Sequence, residues 1–260
     1  IDGFSLGEKM LRGAERFGAQ TKMAEVRAVR LNGAVKEIET AGGTLYGRTV
    51  ILATGATPRA LGVAGEQELI GRGVSYCASC DGMFYRGKTV VIVGGGNTAA
   101  ADAILLSRIC EKVFVVHRRD TLRATKIYHE PLMNAENIAF CWNSTVSELL
   151  HGDKLTGVKV RNIQTGEETE ISCDGLFVCI GREPASELVK GQLELDGAGY
   201  IVADESTRTS LPGVYAVGDV RTKAFRQVVT AVGDGATAAY YADEYLTETK
   251  QAQEDGALER

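Results

Sequence analysis

The chain has 260 residues, 44% of them hydrophobic, enough to bury a sizeable core in one large or two ordinary domains, which excludes a disordered or fibrous protein. Lysine and arginine number 29 against 34 acidic residues, a net charge of −5 without the basic excess of a nucleic-acid-binding surface, so any anion site must be local. No apolar run reaches the roughly 18 residues of a membrane span and no charged-then-apolar leader opens the chain, so a soluble cytoplasmic enzyme without nucleic-acid or membrane partners is expected.

The chain starts at Ile1-Asp2-Gly3-Phe4, without a methionine, and this stretch reads like the interior of a loop, which predicts a segment ahead of it. From Glu25 a strand meander is expected: a turn at Asn32-Gly33, a strand from Val35 to Thr40, and a turn at Gly42-Gly43. It runs into Val50-Ile51-Leu52-Ala53-Thr54-Gly55-Ala56-Thr57-Pro58, a buried strand closed by a glycine and a proline.

Cys77-Ala78-Ser79-Cys80-Asp81 comes next. A CxxC fits half a zinc ribbon, a redox pair or two unrelated buried thiols. Zinc needs a second pair of ligands, yet Cys110, Cys141, Cys173 and Cys179 are isolated and His117, His129 and His151 are scattered. The spacing favours the redox reading, with Asp81 as a candidate proton donor and no metal, and it leaves the other four cysteines as packing residues. Six cysteines without a leader do not make a secreted disulfide framework.

Lys88 to Val93 is a β-branched strand, Asn97 to Cys110 an alanine-rich helix and Val113 to His117 a second strand, together a βαβ unit. Its turn, Gly94-Gly95-Gly96-Asn97-Thr98-Ala99, fits GxGxxA, in which bare backbone can approach a pyrophosphate at the helix amino terminus; the bland alternative is an ordinary glycine turn. About 20 residues on, an NAD site would carry an acidic side chain for the ribose 2′-hydroxyl. This chain instead has His117, Arg118, Arg119 and Arg123, guanidinium donors suited to a 2′-phosphate, so NADP is favoured over a merely solvated basic loop.

A second meander follows: Val146 to Leu150, a turn at Gly152-Asp153, Leu155 to Ile163, Thr169 to Cys173, and Leu176 to Ile180 running into Gly181-Arg182-Glu183-Pro184. Both meanders thus end in a buried strand, a glycine and a nearby proline, which reads as a duplicated dinucleotide-binding domain. The second copy's glycine loop lies well ahead of Gly181, so the first copy's loop is expected upstream of Ile1. Last, Gly213 to Val217 is a strand running into Gly218-Asp219, followed by Arg226-Gln227 and a small-residue helix from Ala231 to Tyr241. A carboxylate at a strand end can accept from a ribitol hydroxyl, and a helix start can aim amides at a flavin's pyrimidine edge.

These motifs, in this order, closely resemble those of bacterial low-molecular-weight thioredoxin reductases. The resemblance rests on Ala53-Thr54-Gly55, Gly73 to Gly82 with its Cys77-Ala78-Ser79-Cys80-Asp81 core, Gly94 to Ala99, His117 to Ala124, Gly218-Asp219 and Arg226-Gln227. It implies an α/β fold of two Rossmann-like three-layer domains, with an NADPH domain (60–184) inserted into a split FAD domain (1–59 and 185–260). It further implies electron flow from NADPH through FAD to the cysteine pair and on to thioredoxin, in a homodimer. Cys80 matches the thiol nearer the flavin, Cys77 the thiol that attacks thioredoxin's disulfide, and Asp81 the acid that protonates a departing thiolate. Because the pair and the nicotinamide need the same flavin, the resemblance implies rotation of the NADPH domain about links near Arg59 and Pro184. Three alternatives are the reductase of a peroxidase system, a zinc-stabilised nucleotide-binding module, and a ferredoxin-type flavin reductase, which has no need of the CxxC-Asp block.

Overall fold

A computed structural model, describing residues 1–258, opens on a helix where the sequence reads as a loop. Ile1-Asp2-Gly3-Phe4 is a helix start: Asp2 caps α1 (Gly3–Arg16), accepting from the Ser5 amide at 2.9 Å and the Ser5 hydroxyl at 2.7 Å. The Asp-x-x-Ser cap signal outweighs the loop character of Gly3. No residue of α1 is buried, and Phe4, Met10 and Leu11 stand exposed on it. The meander then forms as β1 (Val26–Arg30), β2 (Lys36–Thr40) and β3 (Gly43–Gly47), all antiparallel. Glycines at φ 86° (Gly33) and 111° (Gly43) make its two turns. The strand β4 (Val50–Leu52) leads to Thr54 and Gly55.

Here the chain leaves its first unit, which comprises Ile1–Gly55 and the chain from Pro184 onward, and enters a second, Ala56–Glu183, inserted within it. These limits differ from the sequence boundaries at 59 and 184 by a few residues. In the inserted unit β5 (Ala56–Pro58) and β6 (Val74–Ser75) precede a single helical turn, α2 (Ala78–Asp81). Then come β7 (Thr89–Val93), α3 (Asn97–Ser107), β8 (Lys112–Val116), the short α4 (His129–Met133) and β9 (Ile138–Cys141). An antiparallel meander of β10 (Ser144–His151), β11 (Leu155–Asn162) and β12 (Glu168–Ser172) feeds β13 (Gly175–Val178). The sheet is parallel, in the order β6-β13-β7-β8-β9.

Strand periodicity explains its layering. Val90, Ile92, Val113, Val115 and Phe177 point to one face and pack on Ala99, Ala100, Ala103 and Leu106 of α3. Their neighbours Val91, Val93, Val116, Leu176 and Val178 point to the other and pack on Val146, Leu149, Val158 and Val160 of the meander. Near-continuous apolar strands are what a sheet covered on both faces requires.

After β14 (Arg182–Pro184) the chain returns to the first unit, where β15 (Val214–Ala216) pairs parallel with β4 and α5 (Val228–Leu258) follows. The alternation recurs: Val214 and Ala216 join a cluster with Val29, Leu52 and Ile201, while Tyr215 and Val217 pack on Ala238 and Ala242 of α5. The Tyr215 hydroxyl donates to the Tyr241 carbonyl at 2.7 Å, which fixes the helix over the strands. Gly213 must be glycine, since a Cβ there would lie 2.8 Å from the Tyr245 ring and its φ is 72°. Both units are therefore Rossmann-like, helix on one face and meander on the other. Among the described residues no helix is long and apolar enough to cross a membrane.

Candidate active site

Cys77 and Cys80 form a disulfide, their Cα atoms 5.3 Å apart, with Cys77 half-buried and Cys80 exposed. Cys77 caps α2: the Cys80 amide donates to Cys77 Sγ at 3.2 Å and the Asp81 amide to the Cys77 carbonyl at 3.1 Å. A donor aimed at that sulfur stabilises negative charge on it once the bond is reduced. Asp81 ends the same turn. Its carboxylate accepts from the Ser75 hydroxyl at 2.6 Å, and the Cys77 amide donates to that hydroxyl at 3.1 Å. Just upstream, the buried Glu66 carboxylate accepts from the Tyr76 hydroxyl at 2.7 Å and from the amides of Leu61 and Gly62, both at 2.9 Å. Burial, then the hydrogen bond to Glu66 and that carboxylate's charge, push the Tyr76 phenol well above its ordinary value, so it stays a donor.

In the same unit a cavity of about 580 Å³ opens where β7 passes into α3. Gly94, Gly96, Asn97 and Thr98 line its floor, and His117, Arg118 and Arg123 its basic end. The close approach there is enforced. A Cβ on Gly94 would lie 2.4 Å from the Cys179 carbonyl oxygen, and one on Gly95 would lie 2.2 Å from the His117 ring. Two amides, of Arg123 at 2.7 Å and Ala124 at 3.0 Å, donate to the Gly95 carbonyl, and the Thr125 amide donates to Asn97 Oδ1 at 2.8 Å. The basic loop is thereby stitched to the glycine loop.

His117 is buried and its Nε2 has no hydrogen-bond partner. Burial lowers its pKa and the charges of Arg119, Arg118 and Arg123 lower it further, against a backbone bond to Thr121, so the ring is neutral at pH 7. Ala99 does not line the cavity; it is buried beneath Gly94 in the helix-side core. Arg119 is exposed and also absent from the lining. Arg59 does line it, paired with Glu183 at 3.1 Å, a contribution that no motif announced.

In the first unit, Thr54-Gly55 and Gly218-Asp219 extend from the carboxyl ends of the paired strands β4 and β15, the end at which open α/β sheets bind ligands. Thr54 Oγ1 donates to the Ala185 carbonyl at 2.7 Å, and the Ala185 amide donates to the Gly55 carbonyl at 2.9 Å. The Gly218 amide donates to Asp234 at 2.9 Å. That carboxylate also holds Lys223 at 2.7 Å and the buried Arg221 at 3.1 Å. Burial alone would raise the Asp234 pKa; the hydrogen bonds from Lys223 and Gly218 and the charges of Arg221 and Lys223 outweigh it and hold the carboxyl below its ordinary value. Arg226 lies over the Tyr200 ring, 4.1 Å from its centroid, and the Gln227 amide donates to Thr230 Oγ1 at 3.1 Å in the turn ahead of α5.

The remaining cysteines are packing residues held protonated. Burial pushes Cys110 up to about 11 and Cys173 up to about 12, and raises Cys141 and Cys179 too. Among the described residues no group of three or more His, Cys, Asp or Glu side chains gathers as a metal site. Sequence reading missed Ser75, Glu66 and Arg59. Ser75 lies inside the Gly73 to Gly82 block but was given no role, a glutamate in a loop carries no motif signal, and the partners of both appear only on folding.

Residues 9–235 match the family model for pyridine nucleotide-disulphide oxidoreductases. A thioredoxin reductase of Treponema pallidum (strain Nichols) is 45% identical over 246 residues, which is 95% of this chain and 80% of that protein. One from Listeria monocytogenes serovar 1/2a is 44% identical over 256 residues, 98% of this chain and 80% of that protein. The crystal structure of thioredoxin reductase from Streptococcus pyogenes MGAS5005 matches with a TM-score of 0.88 at 40% identity, over 95% of this chain and 81% of that one.

Proposed function

Because the chain belongs to the pyridine nucleotide-disulphide oxidoreductases, and among them to the thioredoxin reductases, we propose that it carries electrons from NADPH, through FAD, to Cys77–Cys80 and on to the disulfide of thioredoxin. The observation that carries this reading is the accessible Cys77–Cys80 disulfide with Asp81 on its own turn, in the same unit as a glycine-loop cavity with a basic end.

The residues fit both groups. The bare backbone at Gly94 and Gly96, with Asn97, Thr98 and the start of α3, suits a pyrophosphate, and Ala99 lets the helix sit close beneath it. Arg118 and Arg123, with Arg119 beside them, supply guanidinium donors for a 2′-phosphate, and His117 seats the basic loop against Gly95. On the other unit, Thr54, Gly55, Gly218, Asp219, Arg226 and Gln227 would hold FAD: the Asp219 carboxylate could accept from a hydroxyl, and the amides at the start of α5 could serve a polar edge.

When bound, NADPH and FAD would supply the electron pair that opens the disulfide. Cys80 would be the sulfur that receives it, Cys77 the one that attacks the partner disulfide, and Asp81 the acid that protonates the departing thiolate. Since one flavin serves both steps in turn, the inserted unit rotates about the links near Arg59 and Pro184. The enzyme acts as a cytoplasmic homodimer.

The test is NADPH consumption with oxidised thioredoxin, run against NADH, against a peroxidase partner, and with Cys77→Ser and Cys80→Ser. Thioredoxin-dependent turnover with NADPH, abolished in both variants, is expected. A rate that survives either variant, or one seen only with the peroxidase, overturns the assignment.

A further inference from the structure

Ser75 is the last residue of β6 and only 4% exposed, and although it lies inside the Gly73 to Gly82 block, no role was read for it there. Its hydroxyl makes two bonds that bracket the disulfide. It donates to Asp81 Oδ2 at 2.6 Å, six residues ahead, and accepts from the Cys77 amide at 3.1 Å. The Cys77 carbonyl, at 3.4 Å, is a weaker second acceptor. A serine hydroxyl has one proton and two lone pairs. Here the proton is committed to the carboxylate and a lone pair to the amide of Cys77, so one buried oxygen ties the acid to the backbone of the nucleophile.

That tie has a chemical consequence. A carboxyl group at a chain surface rotates and offers either oxygen to solvent; one whose Oδ2 is taken by a buried donor presents only Oδ1 as the oxygen from which a proton can leave. We propose that Ser75 is a positioning residue for disulfide exchange, orienting Asp81 so that Oδ1 delivers its proton to the departing thiolate. The inference rests on the reading of Asp81 as the proton donor.

In the step concerned, the Cys77 thiolate attacks one sulfur of the partner disulfide. The partner S–S bond breaks, a mixed disulfide with Cys77 forms, and the expelled thiolate takes the proton from Asp81, which becomes a carboxylate. The Cys80 thiolate then attacks Cys77 Sγ, releases the second partner thiolate and restores the Cys77–Cys80 bond. The two electrons leave the enzyme's dithiol for the partner's, so the balance needs no further reductant.

A test separates positioning from a structural role by the leaving group. The full chain is reduced chemically with a phosphine and its single-turnover exchange followed with an alkyl disulfide, whose thiolate leaves at a pKa near 8.5, and with an aryl disulfide, whose much more acidic thiol needs no proton. Ser75→Ala is expected to slow the alkyl reaction about tenfold at neutral pH, the modest end of general-acid effects, and to leave the aryl reaction unchanged. Asp81→Asn should do the same, and Ser75→Thr should restore the alkyl rate. If Ser75→Ala slows both reactions equally, or neither, while Asp81→Asn remains selective for the alkyl disulfide, the positioning role is wrong and the acid stands. If Asp81→Asn shows no selectivity, the acid reading itself fails and takes the proposal with it. Ser75→Thr keeps the hydroxyl, so its rescue also guards against a misfolded alanine variant.

Discussion

Asp102 sits on α3 with its carboxylate accepting from the Cys179 thiol at 3.4 Å, and burial raises its pKa although that hydrogen bond pulls the other way. An acid with a raised folded pKa binds its proton more tightly folded than unfolded. Stability is therefore present at low pH, is lost as pH rises from the unfolded value of 3.8 through the folded one, and does not return above it. Asp102→Asn is expected to raise the thermal midpoint at pH 7 by roughly 2–4 °C, with the gain vanishing below about pH 4. A gain of equal size at both pH values would assign the effect to packing instead. Asp102 was invisible in the sequence, where it is one polar residue in an alanine-rich helix. Cys77, Cys80 and Asp81 were legible because their chemistry is carried by spacing within five residues, whereas Ser75 acts through a bond that only the fold of the turn creates.

At the scale of elements, the glycine loop and the basic loop behave as one device. Each was readable alone, from GxGxxA and from three arginines after a strand, but their attachment was not. The bonds from Arg123 and Ala124 to Gly95, and the seating of His117 against Gly95, join residues more than 20 positions apart. Gly95→Ala puts a Cβ into the His117 ring, which has to move, and the cavity that it lines is the open space beside it. The loop and the histidine must therefore separate. We expect NADP⁺ binding, followed by calorimetric titration, to weaken at least about tenfold, a loss of ~1.4 kcal/mol. Unchanged affinity would remove His117 and this loop from the nucleotide site. The helix at Gly3–Arg16 marks the opposite outcome, an element whose cap at Asp2 the sequence did contain and whose glycines obscured it.

For the whole molecule, the inserted unit is a continuous stretch, Ala56–Glu183, with its own parallel sheet and both faces of that sheet covered by its own residues. A chain of about this size buries enough surface to fold alone. Residues 56–183 expressed by themselves are expected to unfold in one cooperative transition and to bind NADP⁺ more tightly than NAD⁺, with an affinity that falls as salt rises. A non-cooperative melt would mean that the unit borrows stability from the rest of the chain.

Sequence alone determined the class of fold, the cysteine pair and the Gly94 to Gly96 turn, because these depend on local periodicity, on backbone conformations that glycine alone tolerates, and on reactive groups a few residues apart. Tertiary structure decided which of the named residues share a cavity, that Ala99 lies beneath it and Arg59 beside it, and that Ser75 holds Asp81. The physical reason is range. Side-chain hydrogen bonds act over about 3 Å, and which groups come that close is fixed by how strands and helices pack, not by their separation along the chain.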